Sequence, residues 1–172
     1  MTKETTPKNQ NVETEPKRYV YKGINVNTFK HYFRNGGIAP IDPKVGWLTD
    51  SPERAHEMAR AQIHIHRSPA YCLIVIDYDF LYDHSLGIHQ RYGTMYGHNE
   101  DFNGQATIGW DDIKTVITTE EGEQAILAIA QETKFPKWEN LQQKIIQVPN
   151  PIYDAEPAYI DQILHLNRRR LY

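Results

Sequence analysis

The run Tyr71-Cys72-Leu73-Ile74-Val75-Ile76-Asp77 constrains the fold more than any other stretch of the chain. From Tyr71 to Ile76 it never alternates between apolar and polar. A strand with one wet face would alternate, so this one is expected to be a central strand covered on both sides. Cys72 lies inside the run and is the single cysteine. The chain therefore has no intramolecular disulfide and no thiolate zinc cluster, and Cys72 reads as a buried, inert thiol.

A doubly covered strand needs flanking elements, and the neighbouring sequence supplies them. Tyr19, Val20 and Tyr21 make Arg18–Gly23 a short strand. Asn25–Arg34 places Phe29, Tyr32 and Phe33 at helical spacing, and Gly36-Gly37 stops that helix. Trp47–Thr49 is a short strand running into a helix start, with Ser51 as N-cap, Pro52 in the first turn and Glu53 at the positive end of the dipole. Ala55, Met58, Ala59 and Ile63 form that helix's apolar face. Asp83–Gly104, rich in Gly, His, Asn and Tyr, reads as a long irregular loop, a length usually tied to function. Gln105–Ile108 and Ile113–Thr118 are expected as strands joined by a turn at Gly109–Asp112. Thr118 and Glu121 have the spacing of a capping box that opens a helix reaching about Glu132. Glu139–Gln143 suits a helix and Lys144–Val148 a strand. A link over Pro149–Pro157 leads to a last amphipathic helix with Ile160, Ile163 and Leu164.

The 172 residues, 40 % hydrophobic with a formal net charge of −3, fit one domain with a real core. The domain is expected over 19–172, ending in a helical extension. Residues 1–18 hold little that can be buried and are expected to be flexible. The charge argues against nucleic acid as partner, and no run of ~18 apolar residues is available to span a membrane. The first residues include lysines without an apolar segment behind them. That pattern predicts a cytoplasmic protein, or an effector exported without a cleavable signal peptide.

Short motifs are sparse. There is no P-loop, no dinucleotide fingerprint and no Gly-x-Ser-x-Gly elbow. His64 and His66 lie two residues apart in a predicted helix, on different faces. His84, His89 and His98 have no metal-ligand spacing, so no metal is expected. Arg168–Arg170 reads as a solvated basic run after a helix.

What remains is a dispersed constellation: Tyr21-Lys22-Gly23 ending a strand, a helix running to Gly36-Gly37-Ile38, Gly46-Trp47-Leu48-Thr49-Asp50-Ser51 opening a helix, and His98-Asn99-Glu100-Asp101-Phe102 before the later strands. In this order the chain resembles the bacterial mono-ADP-ribosyltransferase toxins of the cholera and pertussis type, over roughly Tyr19 to Thr118. That family has a strand ending in Tyr-Arg, a helix ending in a Gly-rich turn, a Ser-Thr-Ser segment opening a helix, a central apolar strand, and a Glu-x-Glu or Gln-x-Glu loop. Its catalytic glutamate lies seven residues before an Ile that is followed five residues later by another. Counting back seven from Ile108 gives Asp101, and Ile113 takes the second position.

The resemblance implies an α+β, ADP-ribosyltransferase-like fold with two small sheets flanked by helices, and NAD as substrate. Cleavage of nicotinamide from NAD passes through an oxocarbenium-like ribosyl cation, which a carboxylate beside the sugar stabilises. Carried over, that carboxylate is Asp101, with Glu100 as rival one residue upstream. Lys22 and Gly23 would meet the cofactor's phosphates, Thr49 and Ser51 would brace the site, and Phe102, Tyr92 or Tyr96 would stack on nicotinamide. The acceptor would be a protein. The chain departs from the pattern in four places. Lys22 replaces the arginine, which removes a planar fork. Asp101 shortens the carboxylate by about 1.5 Å. Asn99 stands at the upstream acidic or amide position. An insertion that carries a histidine before the Ser-Thr-Ser segment is missing. A catalytically silent, protein-binding member of the same fold is the alternative reading.

Overall fold

The computed structural model describes residues 19–39, 46–65, 67–68, 70–77, 89–91, 95–98 and 107–149. The apolar run becomes β4 (Cys72–Asp77), buried along its length up to Ile76. Its neighbours are β1 (Tyr19–Gly23) and β8 (Ile113–Thr118), both antiparallel to it. Val20 sits opposite Ile76 and Lys22 opposite Ile74. Cys72 is fully buried, and burial pushes its thiol well above the ordinary range, so it is the inert group that the sequence predicts.

The sheet extends outward from this centre. β3 (Gly46–Thr49) pairs with β1 on one side, with Thr49 opposite Tyr21, and β9 (Ile145–Gln147) runs parallel to β8 on the other. Two further strands, β5 (His89–Arg91) and β6 (Met95–His98), form an antiparallel ribbon that adds to β3. The result is a seven-stranded mixed sheet in the order β5-β6-β3-β1-β4-β8-β9. A separate two-stranded sheet joins β2 (Gly37–Ile38) to β7 (Ile108–Gly109). The molecule is thus α+β, with one large sheet and one very small sheet in place of the two small ones expected.

Among the described residues, four helices cover the sheet. α1 (Phe29–Asn35) follows a 3-10 turn at Val26–Thr28 and ends at Gly36, whose φ of 77° is the left-handed stop the Gly-Gly pair predicts. α2 (Pro52–Ile65) starts at the predicted place, where Ser51 Oγ accepts from the Arg54 amide at 3.2 Å. α3 (Glu120–Glu132) and α4 (Trp138–Gln142) complete the set.

Strand alternation divides the core in two. Tyr19, Tyr21, Leu73, Val75 and Ile117 face α2 with Ala55 and Ala59. Val20, Ile74, Ile76 and Val116 face the opposite way, toward Phe29, Tyr32, Ile126 and the small sheet's Ile38 and Ile108. Phe33 and Phe135 stack with ring centres 4.2 Å apart, and Lys30 of α1 pairs with Glu132 of α3 at 2.7 Å.

Three expectations need correction. Within Asp83–Gly104, the stretches His89–Arg91 and Met95–His98 are strands, because β3 offers them an edge that no local pattern announces. The strand expected at Gln105–Ile108 is described at Ile108–Gly109, and it belongs to a different sheet from Ile113–Thr118. The N-cap of α3 is Thr119, which accepts from the Gly122 amide at 3.1 Å, and not Thr118. Thr118 is the last residue of β8, and its hydroxyl donates to the Tyr71 carbonyl at 2.6 Å. The 1–18 segment, the helix over Ile160–Leu164 and Arg168–Arg170 lie outside the described residues.

Candidate functional site

Lys22 lies in the middle of three paired strands, since β1 has β3 on one side and β4 on the other. By alternation its side chain leaves on the face of Val20 and Ile74, the face that also carries the small sheet. It is half-buried, and desolvation lowers its ammonium from the ordinary lysine value to about 8. A lysine in that state carries a charge at neutral pH at a cost that an anion beside it would offset.

Gly23, the next residue, faces the other way. A Cβ placed on it would stand 2.3 Å from the Ala55 carbonyl oxygen and 2.5 Å from the Ala59 nitrogen. No side chain fits there, so glycine at this position lets α2 lie directly on β1.

Thr49 is fully buried and sits opposite Tyr21, so it shares the α2 face. Its Oγ1 accepts from the Ser51 amide at 3.1 Å. Ser51 Oγ in turn accepts from the Arg54 amide and donates to the Glu53 carboxylate at 3.2 Å. These bonds fix the corner where β3 turns into α2. The structure therefore brings Lys22 and Thr49 to within one residue of register while sending their side chains to opposite faces. Lys22 presents a charge on one side of the sheet; Thr49 and Ser51 hold the frame from the other.

Glu100, Asp101 and Phe102 lie outside the described residues, as do Asn99 and Tyr92. Both anchors of their segment are described. At one end His98 closes β6 opposite Gly46, and at the other Ile108 opens β7 opposite Ile38. β6 lies two strands from β1 in the large sheet, and Ile108 of the small sheet packs on the face of Lys22. Tyr96 takes its place in β6 opposite Leu48.

One buried polar pair has no counterpart in the sequence reading. His56 of α2 is 6 % exposed, and its Nδ1 is 3.2 Å from the hydroxyl of the fully buried Tyr71. Only the tertiary contact reveals it, although a histidine beside Ala55 on a helix's apolar face was a signal for a buried partner. Among the described residues no group of His, Cys, Asp or Glu is placed to hold a metal, and no helix is long and apolar enough to cross a membrane. Compared with known protein families and with curated proteins, the chain matches none.

Proposed function

We propose that the chain is an NAD-dependent mono-ADP-ribosyltransferase of the toxin or effector type. It breaks the bond between nicotinamide and ribose C1′ and joins C1′ to a nucleophile of a protein acceptor, releasing nicotinamide and the acceptor's proton. The observation that carries the reading is Lys22: a half-buried cation in the middle of the sheet, on the face that also carries the small sheet with Ile108. It is supported by the order and spacing of Lys22, Thr49–Ser51, Asp101, Ile108 and Ile113. In this reading Lys22 holds the pyrophosphate as a point charge. Asp101 or Glu100 stabilises the ribosyl cation. The Thr49–Ser51 corner keeps β3 and α2 in register beneath the site.

A second reading is a member of the same fold that binds a protein and turns over no NAD. The lowered ammonium of Lys22 favours it, because such a group grips phosphate less firmly than a guanidinium. Calorimetric titration with NAD separates the enzyme from the protein-binding member and from an unrelated fold, and absence of binding at millimolar NAD sinks the enzyme reading. Where NAD binds, release of nicotinamide by the wild type identifies the enzyme. Loss of that release in Asp101→Ala or in Glu100→Ala assigns the carboxylate, and turnover retained in both variants refutes the assignment.

A further inference from the structure

We infer that the His56–Tyr71 pair is an acid-sensitive latch that seats α2 on the sheet and lets it loosen when the imidazole takes up a proton. The inference is independent of NAD binding and rests on how α2 is held. The helix meets β1 through Ala55 and Ala59 pressed on Gly23. Alanines allow a close approach but bury little apolar area, and Met58 and Ile63 on the same helix are only half-buried. The hydrogen bond between the Tyr71 hydroxyl and His56 Nδ1 is a polar tie between the first half of α2 and the segment entering β4.

The pair tolerates one protonation state. With neutral His56, Nδ1 accepts the phenolic hydrogen and both buried groups are satisfied. A protonated imidazole makes Nδ1 a donor, and the Tyr71 hydroxyl must then turn its hydrogen elsewhere. Tyr71 is fully buried, and among the described residues His56 is the partner its hydroxyl has. The acid form thus strands a buried donor and a buried charge together. Among the described residues the surroundings offer little relief. On α2, Arg60 opposes the charge and Glu57 favours it less strongly. On β1 the same face carries the phenols of Tyr19 and Tyr21, while β8 and the residue after β9 contribute the apolar Ile117 and Val148. Burial and Arg60 accordingly lower the imidazole below its ordinary value. The sign follows: the unfolded or opened helix takes up a proton near pH 6.5 and the closed helix does not, so closure weakens as pH falls below about 6.5.

Amide hydrogen exchange, corrected for its intrinsic pH dependence, reads the latch directly. In the unmodified chain, amides of Ala55–Ile65 are expected to lose severalfold in protection between pH 7 and pH 5. Those of α3, on the other face and without histidine, hold theirs. In His56→Gln the α2 protection no longer changes with pH. Equal loss in α2 and α3, a pH-independent α2, or the same acid loss persisting in His56→Gln each overturns the inference. Because the first two outcomes are read in the unmodified chain, a poorly folding variant leaves the test intact.

Discussion

Gly23 has no side chain because α2 occupies the space where one would stand. The backbone of Ala55 and Ala59 lies within 2.5 Å of its missing Cβ, and backbone cannot swing aside as a flexible side chain can. Gly23→Ala is therefore expected to destabilise the chain by about 1–3 kcal/mol, measured by urea unfolding. A fold of unchanged stability that had lost NAD affinity would instead give Gly23 the ligand contact that the resemblance implies. Its neighbour Lys22 makes the opposite kind of claim. With its ammonium at about 8, NAD affinity should fall as pH rises through that value. Lys22→Arg keeps its charge throughout and presents a planar, bidentate fork, so its affinity is expected to stay level from pH 7 to pH 9.5 by calorimetry. A wild type whose affinity is flat over that range removes Lys22 from the phosphate contact.

At the scale of elements, local chemistry decides starts and stops, and partners decide the rest. Ser51-Pro52-Glu53 marks the start of α2 and Gly36 the end of α1, because capping and left-handed backbone are properties of a few adjacent residues. The β5–β6 ribbon is invisible in the sequence because its Gly- and His-rich strands carry no alternation and owe their pairing to β3. The candidate site divides the same way. Its residues and their order are legible, whereas the opposite faces of Lys22 and Thr49 follow from the Tyr21–Thr49 register, which no spacing encodes. The two threonines before α3 show the limit most clearly. Either is a good cap, and the choice falls on Thr119 because β8 continues through Thr118, whose hydroxyl binds the Tyr71 carbonyl. Thr119→Ala is expected to cost about 1 kcal/mol by loss of the cap. The near-isosteric Thr118→Val is expected to cost about 1–2 kcal/mol by leaving a buried carbonyl without that donor. Thermal unfolding reads both, and a silent Thr119→Ala beside a costly Thr118→Val would return the cap to Thr118.

Across the whole molecule, the proposed phosphate contact would set binding against stability at the half-buried Lys22. The core closes on both sides of the sheet with apolar residues, and Lys22 interrupts the face that otherwise runs from Val20 to Ile74, Ile76 and Val116. Desolvation lowers its ammonium from 10.5 to about 8, so at neutral pH the fold still carries the charge, at a cost in stability. Both states are protonated below about 8, and the cost is then complete. Between 8 and 10.5 the unfolded chain keeps the proton that the folded chain gives up, so stability rises with pH through that window. Lys22→Met keeps the length of the stem and removes the charge. It is expected to stabilise the free protein by on the order of 2–3 kcal/mol at pH 7, at 1.36 kcal/mol per pKa unit. The advantage should shrink to about 1 kcal/mol at pH 9.5, where the wild-type fold has already shed much of the charge. Urea unfolding at the two pH values measures both quantities, and calorimetry on the same variant should find NAD binding gone. A Lys22→Met chain less stable than wild type at both pH values would mean that the interactions Lys22 makes within the fold outweigh its desolvation. The lysine would then belong to the scaffold. A more stable variant without NAD affinity has the signature of a residue kept for a ligand at the expense of the fold.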